Sequence, residues 1–440
     1  MNDAGAVKAY VVSLGCDKNR IDTEHMLALL SDGAVVVGEP ENADVIIINT
    51  CGFVEEAKRE SIDAILEMAR YKKAGAKALV VTGCLAQRYA RELQKELPEV
   101  DAFLGVSGYG KINEAVRRAL RGERFVCTER IDADFEERVL TTPAHYAYVR
   151  IADGCSNNCS YCAIPIIRGP QRSRELKSVL REIERLRRDG VLEVILIAQD
   201  TARYGEDAGR RMIAELVDEA AGIMEGGWLR LMYCYPDAVT DELIGAMMKH
   251  KSVCRYLDMP VQHFSDKILK SMNRRNTSES AKAAVKRLHG LGFALRTTVM
   301  VGFPGETEED FRILTDCVEE LKFENLGCFK YSAEEGTKAA EMPGQVPEEK
   351  KAERYDAVMR LQKRISREIC AGLKGTTQKA VIDGRREDGL YIARTMGQAP
   401  ESDGVTFVCS KKSLTPGTFH DVLIKDAYDY DLFGELNEHS

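Results

Sequence analysis

Three cysteines lie close together in the middle of the chain, in the run DGCSNNCSYC at residues 153–162. Cysteine thiolates are soft ligands that suit iron–sulfur clusters. Cys155, Cys159 and Cys162 supply three ligands from one short loop, enough for three irons of a cubane. The fourth iron then stays open, so the spacing predicts a site-differentiated [4Fe–4S] cluster.

An open iron of this kind can chelate the amino and carboxylate groups of S-adenosylmethionine (SAM) and pass one electron to its sulfonium. The radical that results can take hydrogen from an unactivated C–H bond, which is chemistry that the cofactor supplies and the protein orients. Tyr161 stands just before the last cysteine, as it does in radical enzymes of this kind. The alternative is a zinc site with its fourth ligand elsewhere, although CxxxCxxC is not a usual zinc-finger spacing.

A second set of cysteines, Cys16, Cys51 and Cys84, follows three apolar runs: VVSLGC, VIIINTC and LVVTGC. The carboxyl ends of parallel strands share one edge of a sheet, where ligands bind in open α/β folds. We therefore expect these thiols to converge and to hold a second cluster, again with an open iron. The alternative is three buried structural thiols. Residues next to these cysteines are small or polar and would let the backbone approach a bulky inorganic group. They are Asn49, Gly15, Gly52 and Gly83.

The other cysteines lack paired spacing and are interpreted as core or surface thiols. They are Cys127, Cys234, Cys254, Cys317, Cys328, Cys370 and Cys409.

The elements that position the second set come from the first part of the chain, about residues 1–122. Short β-branched runs (AYVVSLG, AVVVGE, DVIIINT, ALVVTG and DAFLGV) alternate with helical stretches at residues 22–30, 55–71 and 87–97. Strand–helix alternation predicts a parallel sheet with right-handed crossovers. A charged link at residues 121–143 follows it.

A second alternating series predicts the domain that carries the 153–162 loop. Its strands are expected at residues 146–152, 191–198, 228–234, 254–259, 295–301 and 326–331, with helices such as 175–188 and 308–321 between them. Six strand–helix units are fewer than the eight of a full barrel, so the prediction is an open, partial (β/α)6 barrel.

The C-terminal part changes character after Pro347. Residues 348–370 form a long charged amphipathic helix, and residues 375–436 show short apolar runs broken by DG, GQ, PG and SDG turns. That pattern predicts a small all-β barrel of about five strands. The chain is thus expected to be an α/β protein with three domains, at residues 1–122, 141–371 and 372–438.

Composition and charge place the protein among cytoplasmic globular proteins. The 440 residues are 30% charged and 44% hydrophobic with a net charge of −8. The N-terminus has no basic region or long apolar core of a signal peptide, and no apolar run reaches the roughly 18 residues of a membrane span. Thirteen cysteines in such a protein are expected to be reduced.

Separated motifs resemble the methylthiotransferase family of radical SAM enzymes over essentially the whole chain, and within it the RimO-type branch. They are SLGCDKN (13–19), CSYCAIPIIRG (159–169), RSR (172–174), AQDTARYG (198–205), YLDMPVQH (256–263), GFPGE (302–306) and YSAEEGT (331–337). The branch that modifies tRNA typically has CQMN where this chain has CDKN. Asp17 is a departure, since the RimO-type branch usually has proline there.

The resemblance implies a cluster-binding N-terminal domain, a radical SAM domain and a C-terminal TRAM barrel, with two [4Fe–4S] clusters and SAM as cofactors. It implies an enzyme that adds a methylthio group to the β-carbon of an aspartate in small-subunit ribosomal protein twelve (uS12). One cluster would cleave SAM and the other would present sulfur, while another SAM supplies the methyl group. An electron donor and a sulfur donor are the further partners.

Four residues outside the cysteine sets are predicted to bind SAM: Tyr161, Gln199, Gly302 and Gly305. Gln199 and Asp200 end the second barrel strand, where polar side chains face the site. The two glycines belong to GFPGE, where the resemblance implies contact with SAM and a plain turn is the alternative.

Three further features have simpler interpretations. Gln262 and His263 follow the fourth strand, and His263 is taken as structural. Arg168 and Arg172 either offset the negative charge of cluster, SAM or substrate, or are solvated. The charge run at residues 348–354 is interpreted as a solvent-exposed face of a helix.

Two other functions compete with the uS12 assignment. One is the same chemistry on a tRNA adenosine beside the anticodon, and the other is a non-enzymatic iron–sulfur carrier. Residues 371–440 contain eight Lys/Arg and eleven Asp/Glu, a net charge of −3. An acidic barrel favours a basic protein partner over RNA.

Overall fold

The computed structural model describes residues 6–31, 33–129 and 137–437. Glu438, one of the acidic residues of the predicted barrel, and residues 130–136 of the predicted link lie outside those ranges. Within the described ranges, no helix has both the length and the apolar character needed to cross a membrane.

The N-terminal domain is a parallel six-stranded sheet in the order β2-β1-β3-β4-β5-β6, as the alternating pattern predicts for its class. Every residue of β3 and of β4 is buried, which explains their unbroken β-branched character. The strands are β1 (Val7–Ser13), β2 (Ala34–Val36), β3 (Val45–Thr50), β4 (Ala78–Gly83), β5 (Ala102–Leu104) and β6 (Phe125–Cys127). The sixth strand falls inside the stretch interpreted only as a link, so that interpretation was wrong for residues 125–127. Three residues at the edge of a sheet are too few to show a period.

Four helices cover both faces of this sheet, since separate apolar cores lie on its two sides. They are α1 (Asp17–Leu30), α2 (Glu55–Ala69), α3 (Cys84–Glu96) and α4 (Ile112–Leu120). Helix α1 begins five residues before the predicted start at residue 22. Its first turn is polar, yet Lys18, Asn19 and Asp22 are buried. Lys18 and Asp22 face the middle domain, and Asn19 hydrogen-bonds both Arg168 of that domain and the Thr50 carbonyl at the end of β3, so these residues carry no apolar period.

The middle domain is a six-stranded parallel sheet with the strands β7, β10, β11, β12, β13 and β14 side by side in sequence order, as expected for a partial barrel. Strands β8 and β9 form a separate two-stranded antiparallel ribbon. The strands of the sheet and of the ribbon are β7 (Tyr146–Arg150), β8 (Ala152–Asp153), β9 (Arg172–Ser173), β10 (Glu193–Ile197), β11 (Trp228–Leu231), β12 (Val253–Asp258), β13 (Ala294–Val301) and β14 (Asn325–Lys330). Its helices are α5 (Ile164–Ile167), α6 (Leu176–Arg188), α7 (Ile213–Ile223), α8 (Asp241–Lys249), α9 (Asp266–Ser271), α10 (Ser278–Gly290) and α11 (Glu308–Leu321).

The long helix α12 (Glu348–Gly372) packs against this domain, and its first turns are not a purely solvated face. Lys351 and Arg354 are 4% and 3% exposed. The Lys351 ammonium donates to the Tyr331 carbonyl at 2.9 Å, and Arg354 donates to the Glu306 carbonyl at 3.3 Å. The interpretation of residues 348–354 as a solvent-exposed face was therefore wrong for these two cations, because backbone carbonyls of the middle domain accept hydrogen bonds from them.

The C-terminal domain is a closed barrel in the order β15-β16-β17-β19-β18, which confirms the predicted five strands. The strands are β15 (Thr377–Arg385), β16 (Tyr391–Thr395), β17 (Thr406–Cys409), β18 (Phe419–Ala427) and β19 (Leu432–Leu436). All pairings are antiparallel except β17 with β19. The domain limits 1–122, 141–371 and 372–438 stay predictions.

One residue of the barrel joins all three domains. Glu401 accepts hydrogen bonds from Arg20 Nη1 at 2.7 Å and from the Tyr146 hydroxyl at 3.0 Å. Arg20 belongs to helix α1 and Tyr146 to strand β7. A shared apolar cluster accompanies this contact, with Ile21 and Ala399 packed on the middle-domain sheet. The domains therefore meet at a common junction beside the first turn of α1.

Candidate functional site

The cysteines of the first domain lie together at the carboxyl edge of its sheet. Cys16 is the N-cap of α1, Cys51 follows β3 directly, and Cys84 is the first residue of α3. In the sheet, β2 pairs with one side of β1, whereas β3 pairs with its other side and β4 follows β3. The chain therefore adds strands first on one side of β1 and then on the other. Such a change of direction opens a crevice at the strand ends, which is where open α/β sheets bind ligands.

Close backbone approaches confirm that these three segments converge. Gly15 has φ +88°, and a β-carbon on it would lie 2.9 Å from Cβ and 3.3 Å from Sγ of Cys51. Gly83 has φ +97°, and its β-carbon would lie 2.3 Å from Oδ1 of Asn49. A side chain at either position would clash, and the left-handed backbone would be strained. Glycine is therefore required for the packing around Cys51 and Cys84.

The middle-domain cysteines lie on the loop between β8 and α5. The loop is held by its own backbone, since Cys162 N donates to the Cys159 carbonyl at 3.1 Å and Cys155 N donates to the Gly169 carbonyl at 3.0 Å. Asn157 Nδ2 also donates to Oδ2 of Asp200 at 2.7 Å. Asp200 is thus a positioning residue for this loop. Burial raises its pKa, while the hydrogen bond from Asn157 opposes that shift.

The two cysteine sets face one cavity of about 420 Å³ between the domains. All six predicted ligands line it: Cys16, Cys51, Cys84, Cys155, Cys159 and Cys162. The sequence predicts each set separately, and the domain arrangement brings them together. Chemistry begun at one set can therefore be completed at the other on the same substrate.

Arg168 lines the same cavity beside the cysteines of the first domain and is only 1% exposed. Its Nη2 donates to Asn19 Oδ1 and to Asp22 Oδ2, both at 2.9 Å, and it lies 4.0 Å from Sγ of Cys84. Its Nη1 donates to Oδ1 of Asp153 at 3.0 Å. The alternative of a solvated Arg168 is therefore wrong, because carboxylates from both domains enclose the guanidinium.

Burial sets the protonation of the thiols in this cavity. It raises the pKa of Cys84 to about 12 and that of Cys155 to about 11, and it also raises the pKa of Cys162. The Arg168 guanidinium opposes the shift at Cys84. Such thiols stay protonated on their own and release protons when a metal binds, so ligation and proton loss are coupled.

The donor set fits iron–sulfur clusters better than a single metal ion. Among the described residues, no group of three Cys, His, Asp or Glu is close enough to share one ion. Each thiolate of a cubane binds a different iron, so cluster ligands need not crowd around one atom. Two buried polar atoms on cavity-lining side chains, Oδ1 of Asn157 and Oε1 of Gln199, have no hydrogen-bond partner within the described chain. They are free to bind a polar cofactor.

The predicted SAM-binding residues divide into two pairs. Tyr161 and Gln199 line the cavity, whereas Gly302 and Gly305 are not among the described residues that line it. The GFPGE loop touches the cysteine loop through Phe303, whose ring lies edge-on to Tyr161 at 6.5 Å between centroids. Gly302 packs instead on Lys351, since its β-carbon would lie 2.2 Å from Lys351 Cγ. SAM binding by all four residues stays a prediction.

The remaining predicted side chains have distinct positions. Gln262 lines the cavity. His263 is fully buried, with Nδ1 accepting from Ser265 N at 2.9 Å, which fits a structural role. The side chain of Arg172 is 32% exposed and lies 3.4 Å from Asp153.

Several cavity residues were missed by sequence reasoning. Lys18, Tyr233, Tyr235 and Arg274 line the cavity. Arg274 donates to the Pro260 carbonyl at 2.5 Å and lies 3.6 Å from the centroid of the Tyr235 ring. Only Lys18 had a local signal, because it stands two residues after the ligand candidate Cys16. The others reach the cavity through tertiary packing.

Comparison with known families finds three matches along the chain. Residues 8–105 match the family described as uncharacterized protein family UPF0004, residues 149–318 match the radical SAM superfamily, and residues 375–436 match the TRAM domain. These segments coincide with the N-terminal sheet, the middle sheet and the C-terminal barrel.

Full-length relatives are similar throughout. The chain is 45% identical over 438 residues to the ribosomal protein uS12 methylthiotransferase RimO of Clostridioides difficile (strain 630), covering 98% of this chain and 99% of that protein. It is 47% identical over 440 residues to the protein of the same name from Pelotomaculum thermopropionicum, with coverage of 98% and 99%.

Among solved structures, the chain is similar to the radical S-adenosylmethionine methyltransferase TsrM from Kitasatospora setae with tryptophan substrate and a SAM analogue bound. The TM-score is 0.53 at 16% identity, over 73% of each chain. This likeness concerns the fold.

Proposed function

Because the chain belongs to the family of ribosomal protein uS12 methylthiotransferases, we propose that it adds a methylthio group to the β-carbon of an aspartate of uS12. It is a radical SAM transferase that uses SAM and a [4Fe–4S] cluster. The observation that carries the proposal is the single cavity lined by both cysteine sets. Hydrogen abstraction and sulfur delivery at one substrate carbon require that this carbon lie within reach of both cysteine sets.

We assign the SAM-cleaving cluster to Cys155, Cys159 and Cys162, and a second, sulfur-presenting cluster to Cys16, Cys51 and Cys84. The spacing of the first set and the strand-end placement of the second support this assignment. When bound, the clusters and SAM supply one-electron chemistry that activates an aliphatic C–H bond and delivers sulfur to it. An electron donor and a sulfur donor complete the proposed partners.

The chain's own residues orient these groups and exclude water. Asn157, held by Asp200, keeps the middle-domain loop in shape. Arg168 places a fixed positive charge beside Cys16, Cys51 and Cys84, which lowers the cost of holding several anions in one buried site. The rings of Tyr161, Tyr233 and Tyr235 line the remaining wall and keep the cavity largely apolar. A reactive radical is protected in such surroundings.

Two exposed aromatic side chains of the cavity wall support a macromolecular substrate. Phe53 and Phe329 line the cavity and are 37% and 56% exposed. Exposed apolar side chains grouped at a cavity mark a binding surface. They suit a protein loop as well as a base, so the barrel's charge is needed to choose between uS12 and a tRNA.

The C-terminal barrel supports uS12 through its charge. We propose that the net −3 of residues 371–440 attracts this basic protein. Several barrel acids pair with lysines of the chain, with Asp426 2.5 Å from Lys374 and Asp429 2.9 Å from Lys363. Lys374 is already counted in the net −3, whereas Lys363 lies outside residues 371–440 and offsets one of the excess acids, so the attracting field comes from the acids that these lysines leave unbalanced.

We further place the reaction in the cytoplasm. All thirteen cysteines are free. Cytoplasmic glutathione and thioredoxin keep thiols in that state.

Two triple variants test the function. Reconstituted wild type should contain about eight irons, four per cubane. Replacing Cys155, Cys159 and Cys162 by Ala should leave about half of that iron and abolish reductive SAM cleavage. Replacing Cys16, Cys51 and Cys84 by Ala should spare cleavage and stop formation of methylthio product. Mass spectrometry of uS12 and of tRNA, each offered as substrate, identifies the product.

Each rival function has its own outcome in this experiment. Methylthiolation of tRNA but not of uS12 would establish the tRNA alternative. Absence of SAM cleavage by reduced, iron-loaded wild type would favour an iron–sulfur carrier. Full product formation by the variant without Cys16, Cys51 and Cys84 would refute the second cluster.

A further inference from the structure

Lys18 is a buried cation in the wall of the cavity. It lies in the first turn of α1, two residues after Cys16, and its side chain is 9% exposed. Its ammonium group lies 3.2 Å from Oδ1 of Asp17 and 3.0 Å from the centroid of the Tyr233 ring. The ammonium is thus in contact with one carboxylate and one aromatic face, the buried Asp258 carboxylate interacts with it electrostatically, and the cavity lies beside it.

The other cations of the cavity wall are already engaged. Arg168 donates to side-chain oxygens of Asn19, Asp22 and Asp153. Arg274 donates to a backbone carbonyl and stacks on Tyr235. Lys18 has three N–H donors, and Asp17 is its only ion-pair partner in the part of the chain that the structure describes. It therefore has the capacity to bind a further anion.

The backbone around Lys18 is arranged to hold this ammonium in place. Tyr233 has φ +62°, a left-handed conformation that is strained for an aromatic residue. Such strained positions persist where the surroundings enforce them, and they cluster at ligand sites. Asp17 Oδ1 also accepts from the Lys18 backbone N–H at 3.0 Å, which ties the carboxylate to the same turn.

We propose that Lys18 binds the side-chain carboxylate of the substrate aspartate and makes the enzyme select aspartate over an uncharged side chain; this rests on the proposed function. The reacting β-carbon is bonded directly to that carboxylate, so a carboxylate must enter the cavity with it. An anion in a largely apolar cavity needs a cation to offset its lost hydration. Lys18 thereby also fixes the β-carbon relative to the two cysteine sets.

The test compares binding of two forms of uS12 under anaerobic conditions. One is native uS12 and the other has its substrate aspartate, located by the product mapping above, replaced by asparagine. Iron-loaded wild type should bind the native form about tenfold to a hundredfold more tightly, the range for a hydrogen bond to a charged group. In Lys18→Met this preference should fall to near one, through loss of affinity for the native form alone.

The matched control is Lys73→Met, which should keep the wild-type preference. Lys73 is exposed and lies before β4, at the amino ends of the strands of the same sheet and away from the cysteines. If Lys18→Met retains the preference, or weakens both uS12 forms equally, the proposal is wrong and Lys18 only helps the domains to pack. Equal binding of both forms by wild type also refutes it.

Failure of this inference is distinguishable from failure of the proposed function. A wild-type enzyme that forms no methylthio product on uS12 refutes the function itself, whatever Lys18 does. If Lys18→Met loses iron, the binding of the two uS12 forms is compared with Lys18→Gln instead. Glutamine keeps an N–H donor and lacks the positive charge.

Discussion

Arg168 and Asp22 form a buried ion pair across the interface of the first two domains, 2.9 Å apart, with side chains 2% and 4% exposed. We expect Arg168→Met to loosen this interface. Removing one partner of a buried pair leaves an uncompensated charge, at a cost of about 3–5 kcal/mol. Asp22 also pairs with Arg150, so it is not left alone, and the lower end of that range applies.

The charges of this network determine what the double variant should do. The two buried cations, Arg150 and Arg168, balance Asp22 and Asp153, whereas the third cation at Asp153, Arg172, is 32% exposed and screened by solvent. Arg168→Met leaves an excess of one negative charge and Asp22→Asn an excess of one positive charge, whereas the double variant restores neutrality. We therefore expect the double variant to be less destabilised than the sum of the single variants by about 1–3 kcal/mol, the scale of coupling between contacting residues.

Hydrogen exchange measured by mass spectrometry on the peptide covering α1 reports the opening of this interface. About 3 kcal/mol corresponds to roughly a hundredfold larger opening constant. Arg172→Met is the matched control, since its partly exposed side chain should change protection by no more than about 1 kcal/mol. Additive single effects, within about 0.5 kcal/mol, would refute the charge-balance reasoning.

Four further predictions concern pH, packing and charge. Burial raises the pKa of Asp258 from 3.8 to about 6, so stability falls as pH rises through that window; Asp258→Asn should remove this fall in urea midpoints. Burial lowers the pKa of His25 from 6.5 to about 4, so stability is lost as pH falls through that window, and His25→Gln should flatten the same titration. Gly15→Ala places a β-carbon 2.9 Å from Cys51 Cβ; iron analysis should show about half of the wild-type iron. Reversing Asp429 and Glu435 to Lys should slow association with uS12 in stopped-flow at low salt, and an unchanged salt dependence would remove the barrel's recognition role.

Local patterns were enough to predict much of the protein. Strand runs with every residue buried, such as Val45–Thr50, have a continuous β-branched signature. The spacing of Cys155, Cys159 and Cys162 predicts cluster chemistry because one loop supplies all three candidate ligands. Cys16, Cys51 and Cys84 were predicted to converge because parallel strands end at a common edge. Each inference depends on neighbours in sequence or on a topological rule.

Contacts between domains decided the rest. Only the tertiary structure places both cysteine sets on one cavity, encloses Arg168 between carboxylates of two domains and buries Lys18 against Tyr233. The same contacts bury Lys18 and Asp22 in the polar start of α1. A polar side chain buried by another domain leaves no apolar period in its own segment. The free energy that buries it comes from partners more than a hundred residues away in the chain, so it has no local sequence signal.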